Sequence, residues 1–476
     1  MKTKLGRRYL GSAAFYKMVL AVAVPIMIQN GITNFVSLLD NIMVGRVGTE
    51  QMTGVAIVNQ LIFVFNLAIF GAVSGAGIFG AQFFGCGDHE GVRHALRFKL
   101  YTCLLLTVLG IGVFVLFGNR LIRLYLQGEG TPEQIEASFG YAQEYLRIML
   151  LGFIPFVIAQ CYSGTLRESN RTVLPMVAGI AGVLVNLLFN TLLIFGYLGF
   201  PRLGSSGAAI ATVLSRFVEA AVVVVFSHCG KNRALFRGLY RSLRVPKSLA
   251  LQIGKKTLPL LINEALWAAG CALLLQCYSY RGYDVVTASN IASTISNVFN
   301  VAFLALGNAV GIIVGQLLGA GKMDEAVDTD RKLIVFTLAV CVVVGGVMAL
   351  VAPLFPQIYN TTDHVRSLAE SFILFCALCM PINALANACY FTLRSGGKTL
   401  ITFLFDSFYV CVFTVPIAYL LGHFTSLPIE PLYLFCQLAD IGKCIIGLIM
   451  IKKGLWLNNI VQKEITNEDH TVLSEA

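Results

Sequence analysis

The sequence predicts an all-α polytopic membrane protein, with twelve transmembrane helices in two pseudo-symmetric six-helix lobes around a central cleft. Three observations lead there. The 476 residues are 57% hydrophobic and only 13% charged, so a water-soluble fold could not cover that much apolar surface. The apolar residues gather in twelve runs of roughly 20 residues or more, each long enough to cross a bilayer. The second half of the chain also echoes the first.

The runs cover approximately 17–41, 54–82, 98–118, 138–165, 172–196, 206–228, 250–279, 287–317, 332–353, 367–393, 399–421 and 430–451. An even number of crossings puts both termini on one side. Of the 35 Lys and Arg residues, 21 fall in the loops on the side of the termini, 6 in the other loops and 8 within the runs themselves, most of them near the ends. This asymmetry places both termini in the cytoplasm of a plasma (inner) membrane. The same distribution accounts for the net charge of +10 without nucleic acid as a partner. The expected organisation is an N-lobe over 1–228, a basic cytoplasmic linker over 229–249, a C-lobe over 250–453 and a cytoplasmic tail over 454–476. The 13 cysteines mostly sit singly within apolar runs, and Cys376 and Cys379 read as small packing residues within FILFCALCMP.

A shift of 234 residues aligns Pro25 with Pro259, Gly48 with Gly282, Gly77 with Gly311, Gln82 with Gln316, Gly85 with Gly319 and Gly87 with Gly321. Over 25–87, 15 of 63 positions are identical without a gap. TLRESNRT at 165–172 echoes TLRSGGKT at 392–399. Six spans per repeat give both halves the same orientation, related by an axis along the membrane normal, as in alternating-access transporters.

The polar residues of the first span, Gln29, Asn30, Thr33, Asn34, Ser37, Asp40 and Asn41, fall within an arc of about 140°. In a bilayer such a stripe faces protein or water rather than lipid. Asn263, Glu264, Trp267 and Cys271 share one arc of the seventh span, with Glu264 at the position of Asn30. Asn290 and Asn297 belong to a polar arc of the eighth span, Asn383 and Asn387 to one of the tenth, and Asn186 lies one turn from Asn190 in the fifth. Asn, Ser and Thr often only bond helices together. A mid-membrane carboxylate costs roughly 2.5–3.5 kcal/mol even on insertion scales, so Asp40, Glu264 and Asp406 are expected to titrate or to bind cations. Asp440 is expected to pair with Lys443.

Several stretches are similar to the multidrug and toxic compound extrusion family of antiporters. They are LLDNIMVGRVG, GAQFFGCGDHE, LPLLINEALWAAG, KKGLWLNNI and, most specifically, the long run at 164–216 from GTLRESNRT to AAIATVLSR. The resemblance covers nearly the whole chain. It implies an antiporter, not an enzyme, that exports cationic or amphipathic organic compounds, driven by H⁺ or Na⁺ as the coupling ion and with no other cofactor. It implies cation coupling at Asp40 and a cation or substrate site at Glu264, with Na⁺ or a proton held at one of them; Asp406 joins the cation-coupling set from its mid-membrane position rather than from the resemblance. The cleft would be lined by Gln29, Asn30, Thr33, Ser37, Asn186, Asn190, Asn263, Trp267, Asn290, Asn297, Asn383 and Asn387. One feature departs from the family pattern. The sodium-coupled branch has an acid eleven residues before the tenth-span arginine, where this chain has Asn383 before Arg394.

A lipid-linked oligosaccharide flippase is the alternative within the wider superfamily, and it predicts a basic cleft. A membrane enzyme would need a buried histidine with a partner, but the six histidines fall in loops, at span ends or in the tail. The partners expected are a small organic substrate and the bilayer, with the chain itself a monomer.

Overall fold

The computed structural model describes residues 9–126 and 131–462. Residues 463–476 of the expected tail lie outside the described residues, and so does the side chain of Asn41. The spanning helices are α1 (Ala13–Gly45), α2 (Thr49–Gly85), α3 (His89–Tyr125), α4 (Pro132–Leu151 with Phe153–Glu168), α5 (Val173–Phe195) and α6 (Ser205–His228). The second repeat supplies α7 (Lys247–Ser279), α8 (Tyr283–Gly319), α9 (Met323–Val351), α10 (Asp363–Ser395), α11 (Thr399–Phe424) and α12 (Ile429–Lys452). Eleven helices are long and apolar enough to cross a membrane, and the bent pair of α4 makes the twelfth span. The expected all-α class and span count stand. Long side chains such as Val108, Val115, Leu116 and Leu350 lie exposed along the spans, as acyl chains allow and water does not.

Local sequence explains several boundaries. Thr131-Pro-Glu-Gln begins α4 with a capping box: Thr131 Oγ1 accepts from Gln134 N, and Gln134 Oε1 accepts from Thr131 N at 3.1 Å. α4 was expected to be one run but bends by 48° at Gly152, where a Cβ would lie 3.1 Å from Arg216 Cδ. α5 ends on Gly196 in the left-handed region, at φ 75°. α11 changes to π-helical turns over Leu404–Phe408 and Val410–Thr414, which widens the helix around Asp406.

The described residues fall into two compact units. The first comprises Ile28–Gly77 and His89–Ala250; the second comprises Met1–Met27, Ile78–Asp88 and Leu251–Ala476. Within the first unit, α5 packs along α6, and the second half of α4 lies against α6. The linker docks on this unit. Leu235, Phe236 and Leu239 are buried, Arg97 donates to the carbonyls of Leu239 and Gly238, and Tyr101 donates to that of Leu243.

Within the second unit, α10 is central, packed by α8, α9 and α12. The ends of α2 and α8 meet there in a reciprocal contact. A Cβ on Gly85 would lie 2.0 Å from Gln316 O, and one on Gly319 would lie 2.0 Å from Gln82 O. Only glycine permits that approach. Gln82 is fully buried and secures the chain end: it donates to Ser395 O at 2.9 Å and accepts from Ile460 N at 2.9 Å.

Candidate functional site

Asp40 lies in the last turns of α1 and is half-buried. Asn190 Nδ2 donates to Asp40 Oδ1 at 2.5 Å and to Asn186 Oδ1 at 3.0 Å. Asn186 Nδ2 donates in turn to Thr212 Oγ1 of α6 at 3.2 Å. The 3.6-residue period dictates this cluster, because Asn186 and Asn190 stack one turn apart on α5 and face both α1 and α6. Tyr145 of α4 donates to Asn59 at 3.4 Å and stands within electrostatic reach of Asp40. The direct partner described for Asp40 is thus an uncharged amide. One hydrogen bond to a charged group contributes about 1.5–3 kcal/mol, which roughly matches the insertion cost and leaves no surplus to hold a bare carboxylate. Such a group readily takes up a proton or a cation. Asn190 Oδ1 is buried without a hydrogen-bond partner, so the Asp40–Asn190 pair carries oxygens of a kind that suits either a proton or a small hard cation. Among the described residues, no group of three or more His, Cys, Asp or Glu is placed to hold a metal ion.

The second unit arranges its acids differently. Asp406 accepts from Lys443 Nζ at 2.5 Å and from Asn263 Nδ2 at 3.1 Å. Asn263 is clamped on the other side by Ser407, whose Oγ donates to Asn263 O at 2.7 Å. The pairing of Lys443 with Asp440 expected from sequence is corrected here: the π-helical widening of α11 brings Asp406 to the lysine. Glu264, one residue on from Asn263, is 9% exposed, and the charges acting on it are those of Arg394 and Asp406. Arg394 lies over the rings of Phe391 and Tyr390, at 5.2 and 5.9 Å.

The other residues named from the sequence scatter. Gln29 is buried, and its Oε1 accepts from Arg167 Nη2 at 2.5 Å. Thr33 and Ser37 are exposed and donate back to carbonyls of their own helix, while Asn30 is half-buried. Trp267, Asn290 and Asn297 are exposed. Asn383 and Asn387 are half-buried, and the Oδ1 of each has no hydrogen-bond partner.

Sequence reasoning missed a buried ion pair. Lys99 of α3 is wholly buried and donates to both carboxylate oxygens of Glu168, at 2.7 and 2.6 Å, and to Thr165 Oγ1 at 3.1 Å. Gly77 leaves the space, since a Cβ there would lie 2.5 Å from Glu168 Oε1. Both residues fall at the ends of apolar runs, where charges look solvated. Only the antiparallel arrangement of α3 and α4 brings them together. In the second unit Asp330, also buried, accepts from Thr392 Oγ1 at 2.6 Å.

The MatE family profile matches residues 25–192 and 259–420, one copy in each repeat. The chain is 23% identical over 444 residues to a probable multidrug resistance protein NorM of Thermotoga maritima, covering 92% of this chain and 93% of that one. It is 28% identical over 423 residues to the multidrug resistance protein PmpM of Pseudomonas aeruginosa, covering 87% and 86%. The fold is similar to a solved structure of the Vibrio cholerae MATE transporter VcmN, with a TM-score of 0.84 and 18% identity over 94% of this chain and 98% of that one. A multidrug resistance MATE family transporter of the MOP superfamily, solved in an outward-facing conformation, gives a TM-score of 0.81 at 19% identity, covering 94% and 98%.

Proposed function

The chain belongs to the MatE family and is a multi-pass membrane transporter rather than an enzyme, and from that premise we propose that it is a cation-coupled exporter of cationic and amphipathic organic compounds. In this reading it works by alternating access in the plasma membrane, with both termini cytoplasmic. The names of its relatives support the substrate class. The observation that carries the coupling is the environment of Asp40, a half-buried acid held by a neutral asparagine rather than by a base. Ionised, Asp40 attracts a proton, Na⁺ or an organic cation; neutralised by the ion, it lets the organic cation go. The two ligands oppose each other at one carboxylate, which is the reciprocity that antiport requires. Each net charge moved inward gains about 2.3 kcal/mol per 100 mV of membrane potential. Glu264 is the acid of the seventh span, at the repeat position of Asn30 rather than of Asp40, and Asp406 supports it through Asn263.

The flippase alternative predicts a basic cleft, and the two lysines buried within the spans, Lys99 and Lys443, are each paired with an acid.

The test is efflux of ethidium from liposomes containing the purified protein, under a pH gradient and a Na⁺ gradient imposed separately. Wild type is expected to follow one gradient. Asp40→Asn is expected to lose coupled efflux while melting at the wild-type temperature. Full gradient-driven efflux by Asp40→Asn would refute the assignment.

A further inference from the structure

A second half-buried carboxylate, Glu219, lies in the first unit, outside the Asp40 cluster. α6 carries Thr212, Arg216 and Glu219 at i, i+4 and i+7, on one face. Glu219 packs against Gly182 of α5, where an added Cβ would lie 3.4 Å from Glu219 Cβ. One turn further along α5, a Cβ on Gly179 would lie 3.2 Å from Gln29 Cγ. One face of α5 therefore reads Asn190, Asn186, Gly182, Gly179. The asparagines supply polar groups themselves, and the glycines make room for those of neighbouring helices. Polar groups are thus ordered along this side of α5: Asp40, Asn190, Asn186 with Thr212, Glu219, then Gln29 with Arg167. Eleven residues of helix rise about 16 Å, roughly half the hydrocarbon thickness.

Glu219 differs from the buried Glu168 of this unit. Glu168 is fixed by Lys99. Glu219 makes no hydrogen bond or direct ion pair among the described residues. The charges acting on it are those of Arg167 on α4 and Arg216 on its own helix. Arg167 is engaged by Gln29, and Glu168 also acts on it. Arg216 lies over the Phe156 ring and within electrostatic reach of Tyr145, which Asp40 also reaches. Arg167 Nε and Arg216 Nη1 are buried donors with no partner. A carboxylate between two cations but bonded to neither can change protonation without first breaking a salt bridge.

We propose that Glu219 is a second protonation site of the transport cycle, exchanging the coupling proton with Asp40 along this side of α5. The proposal rests on the antiport reading and narrows its ion to H⁺. An O–H bond on one carboxylic acid breaks as one on the other forms, so the proton count is unchanged. The hydroxyls of Thr212 and Tyr145, with water, both donate and accept along the way.

The test uses the full chain with Glu219→Gln and Glu219→Asp. Three readouts are compared: ethidium binding in detergent, ethidium exchange across liposomes without a gradient, and efflux driven by an imposed pH gradient. Glu219→Gln is expected to bind within about twofold of wild type and to retain exchange, but to lose gradient-driven efflux at least about tenfold; Glu219→Asp is expected to recover much of it. Wild-type driven efflux in Glu219→Gln would overturn the proposal, and so would equal losses of binding, exchange and driven efflux. Should Glu219→Gln fail to fold, the pH profile of Glu219→Asp decides: a shifted profile supports the site and an unchanged one overturns it. Wild-type efflux that follows Na⁺ alone would overturn the proton relay and leave antiport standing. Wild type inert under both gradients would overturn antiport itself, and the relay with it.

Discussion

In the first repeat Asp40 accepts a hydrogen bond from the neutral amide of Asn190, whereas in the second Asp406 is held by the ammonium of Lys443. The contrast is reversed beside the two matching threonines. Thr165 shares Lys99 with Glu168, while Thr392 donates to Asp330, and Ser395 stands where the first repeat has Glu168. Gly77 makes room for a carboxylate; its counterpart Gly311 makes room for the ring of Phe391, 3.1 Å from an added Cβ. Duplication has kept the scaffold and moved the charges. A charge answered by an opposite charge holds helices together. A charge answered only by an amide remains available to an ion.

The largest effect should come from breaking the tightest pair. Lys99→Met leaves Glu168 buried without its cation and is expected to cost about 3–5 kcal/mol, seen as a lower melting temperature in detergent. Lys99→Met with Glu168→Met should recover most of that loss, and a double variant as unstable as the single would break the comparison. Lys443→Met should destabilise less than Lys99→Met, because Asp406 is 18% exposed and keeps Asn263 as a partner.

Asn190→Ala should cost about 1.5–3 kcal/mol of stability, less than Lys99→Met, because a hydrogen bond to a charged group contributes roughly that much, and it should weaken coupling at Asp40 by about tenfold. Gradient-driven ethidium efflux would measure it, and a stability loss as large as that of Lys99→Met would erase the distinction between an acid answered by a charge and one answered by an amide. The smallest effect is expected at Lys322–Glu325, with side chains 59% and 56% exposed. Lys322→Ala should change stability by no more than about 1 kcal/mol in a chemical unfolding series.

The sequence made much of this legible. Apolar run lengths located the twelve spans. The helical period alone put Asn186 and Asn190 on one face, and it made Asn263 and Glu264 neighbours of whatever α11 presents. What it hid depends on which helices touch. Lys99 and Glu168 are 69 residues apart and meet only once α3 and α4 fold back on each other. Lys443 chose Asp406 over the nearer Asp440 because α11 is π-helical there, a backbone choice that LFDSF does not announce. Glu219 was overlooked as a lone acid in a run of Ala and Val. The signal that could have found it was Thr212, Arg216 and Glu219 on one face of a span otherwise suited to lipid.

The reciprocal contact of Gly85 with Gln316 and Gly319 with Gln82 has a wider consequence. It is the geometry of an isologous homodimer interface carried within a single polypeptide: one patch complementary to itself, each copy supplying the knob for the other's hollow. A fused dimer of this kind inherits a joint whose two halves cannot drift independently. A side chain added at Gly85 displaces the end of α8, and that displacement withdraws the contact on which Gly319 depends. The joint is therefore expected to be made or parted as a whole, a binary coupling at a place where the two ancestral copies meet as equals.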